Sequence, residues 1–351
     1  EPGINGATVT LTWLGADGAI GGTGVNADVV YPAVTTGSGT FQQGEYYFCG
    51  LTDSPGATDN NFKITYTTPT NMTPTRTNQG GNNVTDSDGA ITGMDLSMAM
   101  ETFAFVFPTP PTENGTGDSG TAGVGNFGDL QTDETHDQGF AFLDYGDLPE
   151  NGGGDAFNTS MVEGGAVHVV IPGFKLGTSV DGERDGVGNA TATGDDANNT
   201  GSADDEDGVS FTSPLIPGYN ATISVVSMNP LASAAVLQGW IDWNNNGLLD
   251  ANEALAFTSS AVPTGNATTT YTFPVPATAI FNDGMVFARF RLSPTGGLNA
   301  DGPDKYGTAV VPQGEVEDYM KKVMCAGNIV WEDYDFDGTQ DITEPGIGGV
   351  T

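Results

Sequence analysis

The sequence predicts an all-β chain organised as tandem β-sandwich domains. Three observations carry that prediction. Short runs rich in Val, Thr and aromatic residues recur along the chain, clusters of Gly, Asn, Asp and Pro separate them, and long helical periods are missing.

Taken in order, "ATVTLTW" (7–13) and "FKITYTT" (62–68) read as strands. "DLSMAMETFAF" (95–105) is the one weakly helical stretch, and its Thr and Phe fit a strand equally well. "ATISVVSM" (221–228), "TTYTFPV" (269–275) and "MVFARFRL" (285–292) follow as strands. In the last, Val286, Ala288, Phe290 and Leu292 alternate with Phe287, Arg289 and Arg291. One face should therefore be buried and the other should carry the arginines in the open.

Two Gly-rich stretches mark loops. Residues 109–129 read as a surface insertion or linker, and residues 185–208 are too acidic to pack unaided. The expected division is a first sandwich over 1–140, a second over 141–322, and a segment 323–351 that opens another copy of the first. The ends support it: "EPGINGAT" (1–8) and "EPGIGGVT" (344–351) differ at only two positions, Asn5/Gly348 and Ala7/Val350. Such a near-match suggests one period of a repeating chain.

Composition narrows the function. The 351 residues hold 45 acids against 9 bases, a net charge of −36. That field repels nucleic acid and anionic membrane surfaces and attracts cations, a hard divalent ion first among them. Disorder is disfavoured, because 37% of residues are hydrophobic and the aromatics fall in alternating runs. No apolar run is long enough to insert in a membrane as a helix. Cys49 and Cys325 lack a CxxC partner or adjacent histidine, which leaves a disulfide or two free thiols.

Two twelve-residue loops carry the metal signal. In "DYDFDGTQDITE", Asp333, Asp335, Asp337, Asp341 and Glu344 fall at positions 1, 3, 5, 9 and 12 of a calcium loop. Gly338 sits at position 6, where the chain turns sharply, and Thr339 at position 7 offers its carbonyl. In "DWNNNGLLDANE" the same places are held by Asp242, Asn244, Asn246, Leu248, Asp250 and Glu253, with Gly247 at position 6. Asn supplies oxygen without charge, so this second loop should bind more weakly. Strand-like "LQGWI" and "MCAGNIVW" precede the loops in place of long helices, so structural Ca2+ fits better than a calcium switch. Glu1 matches Glu344 and reads as a last ligand whose partners belong to a preceding copy. Looser acidic clusters, "DSDG" (86–89), "DYGD" (144–147), "VDGERDG" (180–186), "DDEDG" (204–208) and "GEVEDY" (314–319), divide between cation sites and solvated loops.

Residues 327–351, "GNIVWEDYDFDGTQDITEPGIGGVT", resemble the opening of the B-type repeat domains of serine-aspartate repeat adhesins, the SdrD B-like domains. Residues 1–140 resemble that domain's remainder through "EPGINGATVTL", "YYFCGL", "DSDGAITG" and "HDQGF". The resemblance implies a calcium-stabilised, prealbumin-like sandwich used as a rigid spacer, and adds Asp86, Asp88 and Asp137 as ligands. Residues 142–322 resemble the GEVED domain of bacterial surface and secreted proteins through "FLDYGDLPE", "VDGERDG", "DDEDGVSF", "WIDWNNNGLLDANE", "ARFRLS" and "GEVEDY". That resemblance implies a second β-sandwich.

The expectation is thus a structural repeat of an extracellular or cell-surface fibre, stalk or adhesin, with neighbouring copies as partners. The alternative is a calcium-dependent module for a glycan or cell-surface protein, in which Trp240, Trp243 or Tyr319 would stack on sugar. An enzyme is not expected, since His136 and His168 lie in no nucleophile motif.

Overall fold

The computed structural model describes residues 3–39, 43–48, 60–75, 97–105, 138–150, 157–194, 205–281, 284–302, 311–323 and 330–349. The chain is all-β. Its strands are β1 (Thr8–Trp13), β2 (Val29–Val30), β3 (Val34–Thr35), β4 (Asn60–Thr67), β5 (Thr73–Pro74), β6 (Met98–Phe105), β7 (Phe140–Ala141), β8 (Leu143–Tyr145) and β9 (Val167–Val169). Then come β10 (Lys175–Leu176), β11 (Val209–Phe211), β12 (Asn220–Asn229), β13 (Ala235–Ile241), β14 (Ala261–Val262), β15 (Gly265–Pro274), β16 (Met285–Ser293) and β17 (Glu315–Lys322).

The first sheet runs β2-β1-β4-β6, with β3 beside β2 on the same edge of β1. Alternation in β1 and β4 turns Val9, Leu11, Phe62, Ile64 and Tyr66 to one side, where Ala99 of β6 joins them in a core. The ambiguous stretch 95–105 resolves as β6, because eight consecutive positions pair with β4. Ladder bonding to a neighbour outweighs weak helical spacing.

The second unit is a sandwich of two antiparallel sheets. One places β12 between β15 and the short β10 and β11, and the other runs β14-β13-β16-β17. Ile223, Val225, Tyr271 and Phe273 face Leu237, Ile241, Ala288, Phe290 and Leu292 across one core. Trp240 and Trp243 are buried and Tyr319 packs against the core, which removes all three as sugar-stacking surfaces.

One expectation is overturned. The arginine face of β16 is not open, for Arg289 and Arg291 are both 0% exposed. The segment from Leu143 to Gly194, anchored by the hairpin of β8 and β9, covers them. Sequence alternation showed two chemically different faces and could not show that the polar one is roofed. Within residues 185–208, Ala192 is buried against Leu148 and Phe157. Glu1, Asp86, Asp88, Asp137, His136, Cys49, Cys325 and the stretch 109–129 lie outside the described residues.

Candidate metal centre

β13 delivers Asp242 to the rim of the sandwich, where the chain leaves the sheet and turns back. Its Oδ1 accepts from Asn246 N (3.1 Å) and its Oδ2 from Gly247 N (2.9 Å). Asn244 Oδ1 accepts from Asn246 N and Asn246 Oδ1 from Leu248 N, each at 2.9 Å. Glu253 closes the loop, Oε1 taking Trp243 N (2.8 Å) and Oε2 taking Asp250 N (2.9 Å). Asn245 and Gly247 adopt the left-handed backbone, φ 55 and 78.

The loop at Asp333 repeats this pattern. Asp333 Oδ2 accepts from Gly338 N (2.9 Å), Asp335 Oδ1 from Asp337 N (3.2 Å) and Asp337 Oδ1 from Thr339 N (2.7 Å). Glu344 Oε1 takes Tyr334 N (2.7 Å) and Oε2 takes Asp341 N (2.9 Å). Phe336 and Gly338 hold the left-handed places, φ 63 and 78. Five side-chain hydrogen bonds and two unusual dihedrals thus coincide position by position. Leu248 and Thr339 are both at position 7, and position 12 clasps positions 2 and 9 in each.

Each carboxylate keeps lone pairs beyond those that backbone N–H groups occupy, and these are the hard oxygens a calcium ion takes. Asp333, Asp335 and Asp337 bring ligand oxygens within 4.8 Å of one another, a spacing that fits one ion. In the Asp242 loop, Asn244 and Asn246 direct Nδ2 at Asp250 Oδ2 (3.4 and 3.1 Å). Their amides fill internally the place that carboxylates leave open in the other loop.

The electrostatics of the loops diverge because their surroundings do. Asp242 and Glu253 are buried, and burial pushes both carboxyls up despite the backbone donors. Asp333 is held below the ordinary carboxylate range, chiefly by Gly338 N. At position 2, Trp243 sits in the core edge-on to Phe281, whereas Tyr334 is 63% exposed.

A second polar centre, which the sequence reading missed, lies under the roof. Residues 315–319 of "GEVEDY" lie in β17, and "DYGD" covers the end of β8 and the two residues after it, joined to β17 by side-chain to backbone hydrogen bonds; neither is a solvated loop. Asp318 Oδ2 accepts from Asp147 N (2.7 Å) and Leu148 N (3.0 Å), and Asp144 Oδ2 accepts from Val316 N (2.6 Å). A Cβ on Gly146 would fall 2.4 Å from Asp318 Oδ2, so the roof approaches this closely only through glycine. Gly314, at φ 144, likewise leaves no room: its Cβ would lie 1.8 Å from Leu292 O.

Arg289 donates to Asp318 with both Nε and Nη2, while Nη1 reaches Asn158 O, Ala300 O and Asp301 Oδ1. Burial is the largest single influence and would lower this guanidinium, but the charge and hydrogen bonds of Asp318 together with the charges of Asp301 and Asp147 raise it on balance. Arg291 has carbonyls in place of a carboxylate, those of Val167, Asn299, Asp301 and Gly302, and donates Nε–H to His168 Nε2 (2.9 Å). Burial and the Arg289 charge push it down to about 9. His168, in β9, is held well below its usual value by burial and then by Arg291, so it accepts as a neutral ring. The arrangement is a sealed network that ties roof to sheet.

No curated protein and no solved structure matches the chain. Residues 236–321, from β13 through both buried arginines to Lys321, match the family described as the GEVED domain.

Proposed function

We propose that the chain is a structural repeat of an extracellular fibre, stalk or large surface adhesin, stiffened by calcium in its twelve-residue loops. The observation that carries this reading is the coincidence of the Asp242 and Asp333 loops in hydrogen bonds and dihedrals, although their sequences and surroundings differ. The resemblance of residues 1–140 and 327–351 to SdrD B-like spacer domains supports it, as does the GEVED match, which fits a surface location. The acidic excess gives calcium its electrostatic reason.

A neighbouring copy is the partner that best fits the Asp333 loop. Phe336 and Ile342 are almost fully exposed there and Tyr334 largely so, whereas the Asp242 loop buries its aromatic in a sandwich. Packed against such a sandwich, the Asp333 loop would stand as the Asp242 loop does.

Extracellular loops of this class bind calcium with Kd of about 10⁻⁴ to 10⁻³ M. At ten times Kd each ion would add about 1.4 kcal/mol. Thermal melting with millimolar calcium and with EGTA tests the reading. The midpoint should rise by several degrees with calcium, and coincident curves would sink the stiffening mechanism. A glycan array on the same protein tests the alternative of a glycan-binding module.

A further inference from the structure

The two glutamates of β17 stand apart from everything described so far. In the register with β16, Glu315 pairs with Leu292 and Glu317 with Phe290. Both therefore lie on the core face of the sheet, opposite to Asp318, and both are 1% exposed. They reach the rim of the facing sheet: Glu315 Oε2 accepts from Leu176 N, and Glu317 Oε1 accepts from Gly208 N (2.8 Å). The Tyr319 hydroxyl accepts from Val209 N (2.9 Å) and donates its O–H to Glu317 Oε2 (3.1 Å). A Cβ on Gly208 would lie 2.7 Å from Glu317 Oε1 and 2.6 Å from Leu176 Cβ, so this corner is closed tightly.

Among the described residues, acids outnumber bases in that corner. The buried Asp205 adds to Glu315 and Glu317, and Asp207 lies beyond it with both oxygens on Thr178. Among the described residues Lys175 is the base that acts on Glu315, and it acts last among the influences, its ammonium donating to Thr178 O. Glu315 Oε1 is buried and has no hydrogen-bond partner among the described residues.

We propose that Glu315 and Glu317 hold a hard divalent cation between the two sheets, with Asp205 supplying further charge, at a site independent of both twelve-residue loops. A buried carboxylate pair needs either a proton or a cation. A single proton would leave one of the two charges buried, and Glu315 Oε1 has no hydrogen-bond partner among the described residues. A cation satisfies that oxygen and neutralises both carboxylates at once. Among the described residues only the Asp333 trio brings three acidic ligand atoms within 4.8 Å, so this site is a two-carboxylate one completed by carbonyls and water. All-oxygen donors select calcium or magnesium over softer metals.

The test uses the full chain with both loops disabled by Asp242→Asn, Glu253→Gln, Asp333→Asn and Asp337→Asn, stripped of metal and titrated calorimetrically with calcium chloride. The expected result is calcium binding in the loop-disabled chain of which one equivalent is weakened at least tenfold by Glu315→Gln. Should that variant fail to fold, Glu315→Asp, which keeps the charge on a shorter arm, should weaken binding by a similar factor. No binding in the loop-disabled chain, or affinity unchanged by the Glu315 substitutions, overturns the proposal. Loss of binding on disabling the loops alone would leave the loop reading standing.

Discussion

Arg289 and Asp318 face each other across β16 and β17 in a two-pronged ion pair. Nε meets Oδ1 and Nη2 meets Oδ2, each at 2.8 Å, with neither side chain exposed. Asp318 also receives two backbone N–H groups of the roof, so one carboxylate joins the sheet to the segment that covers it.

Removing one member should therefore cost more than the pair itself contributes. Asp318→Asn leaves a buried guanidinium without its counter-charge, and Arg289→Met leaves a buried carboxylate. Each should destabilise the domain by about 3 to 5 kcal/mol. Arg289→Lys keeps the charge and loses the fork, and should fall between. Urea unfolding of the four proteins checks the order.

His168 gives the domain an acid sensitivity above the ordinary carboxylate range. Its folded pKa is depressed, so below about 6.5 the unfolded chain binds a proton that the folded chain refuses. Stability linked to this ring is complete above that value and is lost as pH falls, at up to about 1.4 kcal/mol per unit. His168→Gln keeps an acceptor for Arg291 Nε and cannot titrate. The stability difference between wild type and variant should shift against wild type between pH 7 and pH 5. A constant difference would mean that His168 takes up its proton equally in the folded and unfolded chain, and a shift in favour of wild type would mean that the fold binds the charged ring.

Most of the fold was legible because alternation of apolar and polar residues is a local signal, and β1, β4, β12, β15 and β16 all carry it. The loops were legible for the same reason, each being complete within twelve residues. The roof was not. Asp147 and Asp318 are 171 residues apart, and nothing near either announces that they meet. The acids in "DYGD" and "GEVEDY" divide between cation site and solvated loop, and Arg289 falls on the face opposite the core, as long as each is taken without its partner. The signal that could have found them is a match in number: an otherwise base-poor chain places two arginines in one strand and acids in the segments that cover and flank it.

Position 6 of each loop is a matched test of backbone demand. Gly247 and Gly338 share φ 78, which a Cβ disfavours by about 1 to 2 kcal/mol. Gly247→Ala should lower the stability of the second sandwich by that amount, because the Asp242 loop is fastened to its core. Gly338→Ala should leave global unfolding nearly unchanged and weaken calcium binding at the Asp333 loop instead. Denaturant midpoints read the first effect, and calcium titration reads the second.

Position 2 separates the loops most sharply. Trp243 is 5% exposed among Phe273 and Phe281, while Tyr334 stands largely in solvent. Truncating a buried aromatic removes its transfer energy and leaves a cavity, so Trp243→Ala should cost about 3 to 5 kcal/mol. It should also loosen Glu253, whose Oε1 holds the Trp243 and Asn244 N–H groups. Tyr334→Ala should stay within about 0.5 kcal/mol of wild type in the isolated chain. In a chain extended by a second copy, the same Tyr334→Ala change should become costly if the neighbouring sandwich covers this loop. Thermal unfolding of the single and extended chains, each with and without the substitution, decides whether the exposed aromatic marks a junction between copies.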